Sequence, residues 1–104
     1  LCKMADRGQI RGAVLDGPLA FDNAISELAA RTKRIASPVA GRADILLVPN
    51  IEAGNVFYKT ATQLAGARVA AAVVGTTAPC VLTSRADSEE SKLLSIALGC
   101  RLAG

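Results

Sequence analysis

Apolar positions along this chain follow two rhythms. Four short runs read as strands: Arg11 to Asp16, Asp44 to Val48, Arg68 to Val74 and Cys80 to Thr83. The second and third are continuous aliphatic stretches, Ile45-Leu46-Leu47-Val48 and Val69-Ala70-Ala71-Ala72-Val73-Val74. Unbroken runs of this kind suit strands buried on both faces. Between the runs the period lengthens to three and four. Phe21, Ala24, Ile25, Leu28 and Ala29 share one helical face, with Arg31, Lys33 and Arg34 at its C-terminal end. Val56, Phe57, Thr60, Ala61 and Leu64 predict a second helix ended by Gly66. Leu93, Leu94, Ala97 and Leu98 predict a third, ended by Gly99 and opened by an Asp87–Glu90 capping pair.

The order strand, helix, strand, helix, strand, strand, helix predicts an α/β unit with some parallel pairing, its sheet flanked by helices. Ser37 to Gly41 and Gly75 to Pro79 read as loops, and Pro79, lacking an N–H, suits a strand entry. No repeat, low-complexity tract or linker interrupts the pattern.

Composition sharpens this reading. Apolar residues make up 51% of the chain and aromatics only 3%, so the core must be aliphatic. At 104 residues there is room for one small domain. A domain of this size buries roughly 60–68% of the surface its unfolded chain exposes, which leaves a thin margin of stability unless something covers it. The net charge of +3 suits an anionic ligand but not nucleic acid, because no basic stripe interleaves with aromatics. No run of about 18 apolar residues is present, so no membrane partner is expected. Leu1-Cys2-Lys3-Met4 is no signal peptide, and the chain reads as cut from something longer. Cys2, Cys80 and Cys100 form no C-x-x-C pair. They read as reduced thiols of a cytoplasmic protein, each a small buried hydrophobe. The chain has no His, so it cannot by itself complete a zinc site, a Ser-His-Asp triad or a Cys-His pair, and no metal is expected.

Two junctions could carry chemistry. Asn50, Glu52, Gly54 and Asn55 follow the most hydrophobic run and open a helix. Ligands of open α/β sheets bind beyond the carboxyl ends of strands, and a helix N-terminus there offers free N–H groups to an anion. Gly54 would let a ligand approach the backbone. The plainer reading is a helix cap by Asn50 or Asn55. Thr83-Ser84-Arg85-Ala86-Asp87-Ser88 follows the last run. Arg85 offers a planar fork matched to phosphate oxygens, with hydroxyls beside it. The plainer reading is an N-cap with a solvated Arg. Lys59, one turn into the second helix beside Tyr58, is either solvated or within reach of an anion. Asp16-Gly17-Pro18 is a turn signal, and Asp22 suits a helix N-terminus without further role.

These stretches resemble the phosphate acetyl/butyryltransferase family. The matching pieces are 14–24, 43–59, 74–79 and 82–88, in the family's order and spacing. The pairing of P-N-I-E-A-G-N-x-x-Y-K with L-T-S-R-A-D-S is specific and sits nearer the butyryl-type branch. The resemblance implies a two-domain fold of the isocitrate/isopropylmalate dehydrogenase type, usually homodimeric. Residues 1–104 would be a C-terminal fragment, with the last helix, about 86–104, packing on the first domain. It implies transfer of a short acyl group, acetyl or butyryl, between coenzyme A and inorganic phosphate, with coenzyme A as substrate and no cofactor. Ser84 would contact the carbonyl oxygen and Arg85 the phosphate. Asn50, Glu52, Gly54, Asn55, Lys59 and Thr83 would contact substrate. Acetyl-type members carry an Asp seven residues after the Ser, proposed as thiol base; here that position is Ser91. Asp87 is the nearby candidate in its place. A fragment alone is expected to be inactive. The alternatives are an NAD-dependent dehydrogenase of the same broad fold, which would need a cluster of Asp metal ligands, and a non-catalytic truncated module.

Overall fold

The computed structural model describes residues 1–104 as five helices joined by extended chain. They are α1 (Cys2–Asp6), α2 (Phe21–Ile25), α3 (Glu27–Thr32), α4 (Ile51–Gln63) and α5 (Glu89–Leu102). The chain divides into two compact units, Leu1–Leu47 and Val48–Gly104.

In the first unit the helix predicted from Phe21 onward is two helices. Ser26 is extended (φ −118°, ψ 112°) and its hydroxyl accepts the Ala29 N–H at 3.2 Å, capping α3. A capping Ser competes with helix continuation, which periodicity cannot register. Residues 41–43 lie along α2, with the Gly41 N–H on the Asn23 carbonyl (2.7 Å) and the Ala43 N–H on the Ala24 carbonyl (3.0 Å). Gly41 has φ +85°, and a Cβ there would meet the Glu27 Cα at 2.6 Å. Only glycine satisfies both demands. Ala24 and Ala30 are buried, so this core is built of small side chains. Asp22 pairs with Lys33 at 2.7 Å.

The second unit is organised by α4 and α5. Asn50 opens α4, its carboxamide oxygen accepting the Ala53 N–H at 2.9 Å, with Glu52 favourably placed in the first turn. The chain turns back after Leu64 through Gly66 (φ +64°), and the Ala67 N–H returns to the Ala61 carbonyl at 2.9 Å. The capping residue of α5 is Ser88, whose hydroxyl accepts the Ser91 N–H at 3.1 Å. Asp87 is therefore not the cap. Gly99 does not end α5 but lies inside it, because a Cβ there would stand 2.6 Å from the Val81 Cγ2. The close approach selects glycine, not a helix stop. Ser95 is fully buried and bridges α5 to the 68–74 run: it accepts the Ala71 N–H at 3.0 Å and donates to the Ser91 carbonyl at 2.7 Å.

The four predicted strands do not assemble into a sheet. The only β pairing is one antiparallel bridge, Val73 with Cys80. A strand needs a neighbour for its ladder and, where both faces are apolar, cover on both. Ile45, Leu47, Val74 and Leu82 are instead 75–83% exposed. Cys80 and Cys100 are also exposed free thiols, not core hydrophobes, and Cys2 is half-buried. No helix is long and apolar enough to cross a membrane.

Candidate functional site

The sharpest concentration of polar contacts lies in the second unit, where α4 meets the segment 83–88. Asn55, Tyr58, Lys59 and Thr62 stand at positions i, i+3, i+4 and i+7, which puts them along one flank of α4. Tyr58 and Lys59 are half-buried there.

Asp87 is the hub. Its Oδ2 accepts the Ser84 N–H at 2.8 Å, and its Oδ1 accepts the Tyr58 hydroxyl. The Lys59 Nζ stands 3.7 Å from the same Oδ1. The Asp87 N–H donates in turn to the Ser84 carbonyl at 3.1 Å, so backbone and carboxylate together close the 84–87 turn. The Ser84 hydroxyl oxygen receives two further donors, the Lys59 Nζ and the Ala86 N–H, each at 3.4 Å. Both contacts are long for N–H···O bonds. They take the two acceptor positions of a hydroxyl and leave its proton free to donate outward.

The electrostatics follow from these contacts. Hydrogen bonding from Tyr58 holds the Asp87 carboxyl below the ordinary carboxylate range, helped by the Ser84 amide and by Lys59, against an opposing effect of burial. The carboxylate beside Tyr58, with burial, pushes the Tyr58 phenol up. Asp87 is thus a settled anion with both oxygens engaged. Lys59 balances it, and the exposed Arg85 guanidinium makes no ion pair. Arg68 occupies Glu90 at 2.7 Å. Arg85 is the cation of the 83–88 segment left open to an incoming anion.

Lys59, Ser84 and Asp87, all anticipated from sequence, are brought into contact. Arg85 and the half-buried Thr83 flank Ser84 in the chain. Asn50 serves as a helix cap, and Glu52 is an exposed first-turn acid. Gly54 earns its place by packing, since a Cβ there would come 3.1 Å from the Val48 Cγ2. Asn55 is exposed one turn before Lys59. Tyr58 is the member that sequence reasoning left without a role. Its spacing of three from Asn55 was the available signal. A polar hollow of about 210 Å³ beside Asp87, lined by Tyr58, Thr62, Gln63, Ser88 and Ser91 among others, has room for several waters.

Residues 1–100 match the family model described as Phosphate acetyl/butaryl transferase. The chain is similar to the phosphate butyryltransferase of Clostridium beijerinckii, 60% identical over 103 residues that cover 99% of this chain and 34% of that protein. It is similar to the phosphate acetyltransferase of Thermotoga maritima, 58% identical over 98 residues that cover 94% of this chain and 33% of the relative. Among solved structures it is similar to a branched-chain phosphotransacylase from Enterococcus faecalis V583. The TM-score is 0.78 at 46% identity, over 88% of this chain and 34% of that one. The chain spans about a third of the length of these relatives.

Proposed function

This chain belongs to the phosphate acetyl/butaryl transferase family, and from that premise we propose that it serves a phosphate acyltransferase, moving a short acyl group, acetyl or butyryl, between coenzyme A and inorganic phosphate. The observation that carries the reading is the meeting of α4 with the 83–88 segment, where the Lys59 ammonium stands 3.4 Å from the Ser84 hydroxyl beside the anionic Asp87.

In the direction that forms acyl-CoA, the coenzyme A thiolate attacks the carbonyl carbon of the acyl phosphate. A C–S bond forms, charge gathers on the carbonyl oxygen, and phosphate departs with the electron pair of the C–O bond. Ser84, its lone pairs already engaged, donates its proton to that oxygen. Arg85 takes the phosphate with its planar fork, and Lys59, in contact with the neighbouring Ser84, adds a point charge. Asn55, on the same flank of α4 as Lys59, supplies an amide that both donates and accepts.

Asp87 keeps the 84–87 turn closed instead of collecting the thiol proton. Each Asp87 oxygen already accepts a hydrogen bond within the protein, and its lowered pKa makes it a weak base for a thiol.

The same reading carries a two-domain fold of the isocitrate/isopropylmalate dehydrogenase type in a cytoplasmic homodimer. In it the four extended runs become strands of a completed sheet. Likeness to the E. faecalis phosphotransacylase supports a phosphotransacylase fold for this chain. Coenzyme A is a substrate, no cofactor takes part, and the 104 residues alone do not turn over.

The test is an exchange. These residues replace the matching third of the C. beijerinckii enzyme, and the folded product is given butyryl-CoA and phosphate while released thiol is titrated. Phosphate-dependent thiol release is expected. A folded exchanged enzyme that releases none with any short acyl chain overturns the proposal.

A further inference from the structure

Tyr58 contributes nothing to the acyl-transfer step as drawn, yet it is tied more directly to Ser84 than any other residue of α4 except Lys59. Its hydroxyl donates to the Asp87 Oδ1, and the other oxygen of the same carboxylate holds the Ser84 N–H at 2.8 Å. Three residues in series therefore join a helix to the backbone of the proposed oxyanion donor. We propose that Tyr58 is a positioning residue, fixing the Ser84 hydroxyl for catalysis through Asp87; the inference rests on the acyltransferase reading above.

The physical case is one of freedom removed. Carboxylates rotate about their last torsion, which is broad and nearly two-fold. A phenol on one oxygen and an amide on the other hold that torsion still. Tyr58 is itself held by α4, whose backbone at this turn takes a further bond from the Thr62 hydroxyl to the Tyr58 carbonyl at 3.0 Å. The consequence falls on Ser84, because the Asp87 carboxylate fixes its amide and thereby the direction of its side chain. An oxyanion donor displaced by even 1 Å loses much of its effect, since its worth depends on being aimed in advance. Tyr58 can play this part without touching substrate.

Lys59 does not substitute for the phenol. Its Nζ is 3.7 Å from the Asp87 Oδ1 and is shared with the Ser84 hydroxyl, whereas Tyr58 has one partner and two torsions to restrain. Charged groups facing the phenol are the Asp87 carboxylate and the Lys59 ammonium, the latter 4.6 Å from the ring centroid.

The experiment is a double-mutant cycle in the exchanged enzyme. Tyr58→Phe is expected to lower kcat by about tenfold while KM for butyryl-CoA and for phosphate stays within about twofold. In a Ser84→Ala background the same change should cost less than about twofold, because there is no hydroxyl left to aim. An equal loss in both backgrounds, a loss confined to KM, or no loss at all overturns the role. If Tyr58→Phe fails to fold, a ring-fluorinated tyrosine at position 58 keeps the shape and acidifies the phenol. The alkaline limb of kcat should then move to lower pH, and an unmoved limb rejects the proposal. An exchanged enzyme inactive before any substitution removes both this inference and the acyltransferase reading; an active one with a silent Tyr58→Phe removes only this inference.

Discussion

The Asp87 carboxylate holds the Ser84 amide at 2.8 Å through one oxygen and the Tyr58 hydroxyl through the other. This double engagement ties the Ser84 backbone to α4. It also makes the site's behaviour with pH predictable.

Because its folded pKa is lowered, Asp87 contributes stability that is present above its unfolded value near 4 and lost as pH falls through the lower folded value. Tyr58 runs the other way. Its raised pKa gives a contribution present below about 10 and lost as pH rises through the raised value. Melting curves of the exchanged enzyme and its Asp87→Asn variant should differ at neutral pH and converge in acid. Those of Tyr58→Phe should approach the parent both in acid, where Asp87 is protonated, and in strong alkali, where the phenol ionises. A gap that stays constant across pH contradicts the assignment.

Ser84→Ala should lower kcat by about 100-fold or more, the usual cost of one lost oxyanion donor. Thiol titration at saturating substrates measures it. A loss below about threefold would return Ser84 to the rank of a turn residue.

Lys59→Gln should act on phosphate. A charge-assisted bond is worth roughly 1.5–3 kcal/mol, but the Lys59 side chain is 36% exposed, so solvent screening reduces the effect. KM for phosphate should rise about tenfold with kcat little changed. An effect on kcat alone would place Lys59 on the reacting carbonyl.

Gly41→Ala should destabilise the first unit by about 2–3 kcal/mol, because it combines a left-handed φ of +85° with a Cβ 2.6 Å from the Glu27 backbone. Denaturant titration followed by circular dichroism measures it. A change under about 0.5 kcal/mol would show that residues 41–43 move away from α2 at little cost.

Gly99→Ala sets two effects against each other. Alanine improves helix propensity by up to about 1 kcal/mol, while overpacking costs about 1–3. The 2.6 Å approach to the Val81 Cγ2 decides for overpacking, so net destabilisation is expected. Adding Val81→Ala should recover most of it; without recovery, the clash is not the cause.

The residues that meet at α4 and the 83–88 segment lie in two continuous motifs, which is why they stood out in the sequence. Lys59 comes into contact with Ser84 and Asp87, where spacing left it solvated or within reach of an anion. What spacing did not carry was the use of each group. Asn50 caps its helix, as the plainer reading had it, but Gly54 and Gly99 answer to Val48 and Val81, and Ser88 takes the capping place read for Asp87. These are long-range or competing local contacts, invisible to a periodicity. The longer helices were legible from their apolar faces, apart from the break at Ser26, where a hydroxyl takes a backbone N–H; the five-residue α1 (Cys2–Asp6) was not read, being too short to show an apolar face. The sheet was the largest departure. Aliphatic runs announce that a segment wants burial, but a ladder exists only where a neighbour is present.

Those runs leave a practical mark. Ile45, Leu47, Val74 and Leu82 stand mostly in water on chain that has donors and acceptors to spare. Extended, greasy and unpaired backbone is what other copies recruit into intermolecular β-structure. Purified by itself, this polypeptide is therefore expected to clump at concentrations where the exchanged enzyme stays clear, and lysine or proline placed on the 44–48 run should delay the haze.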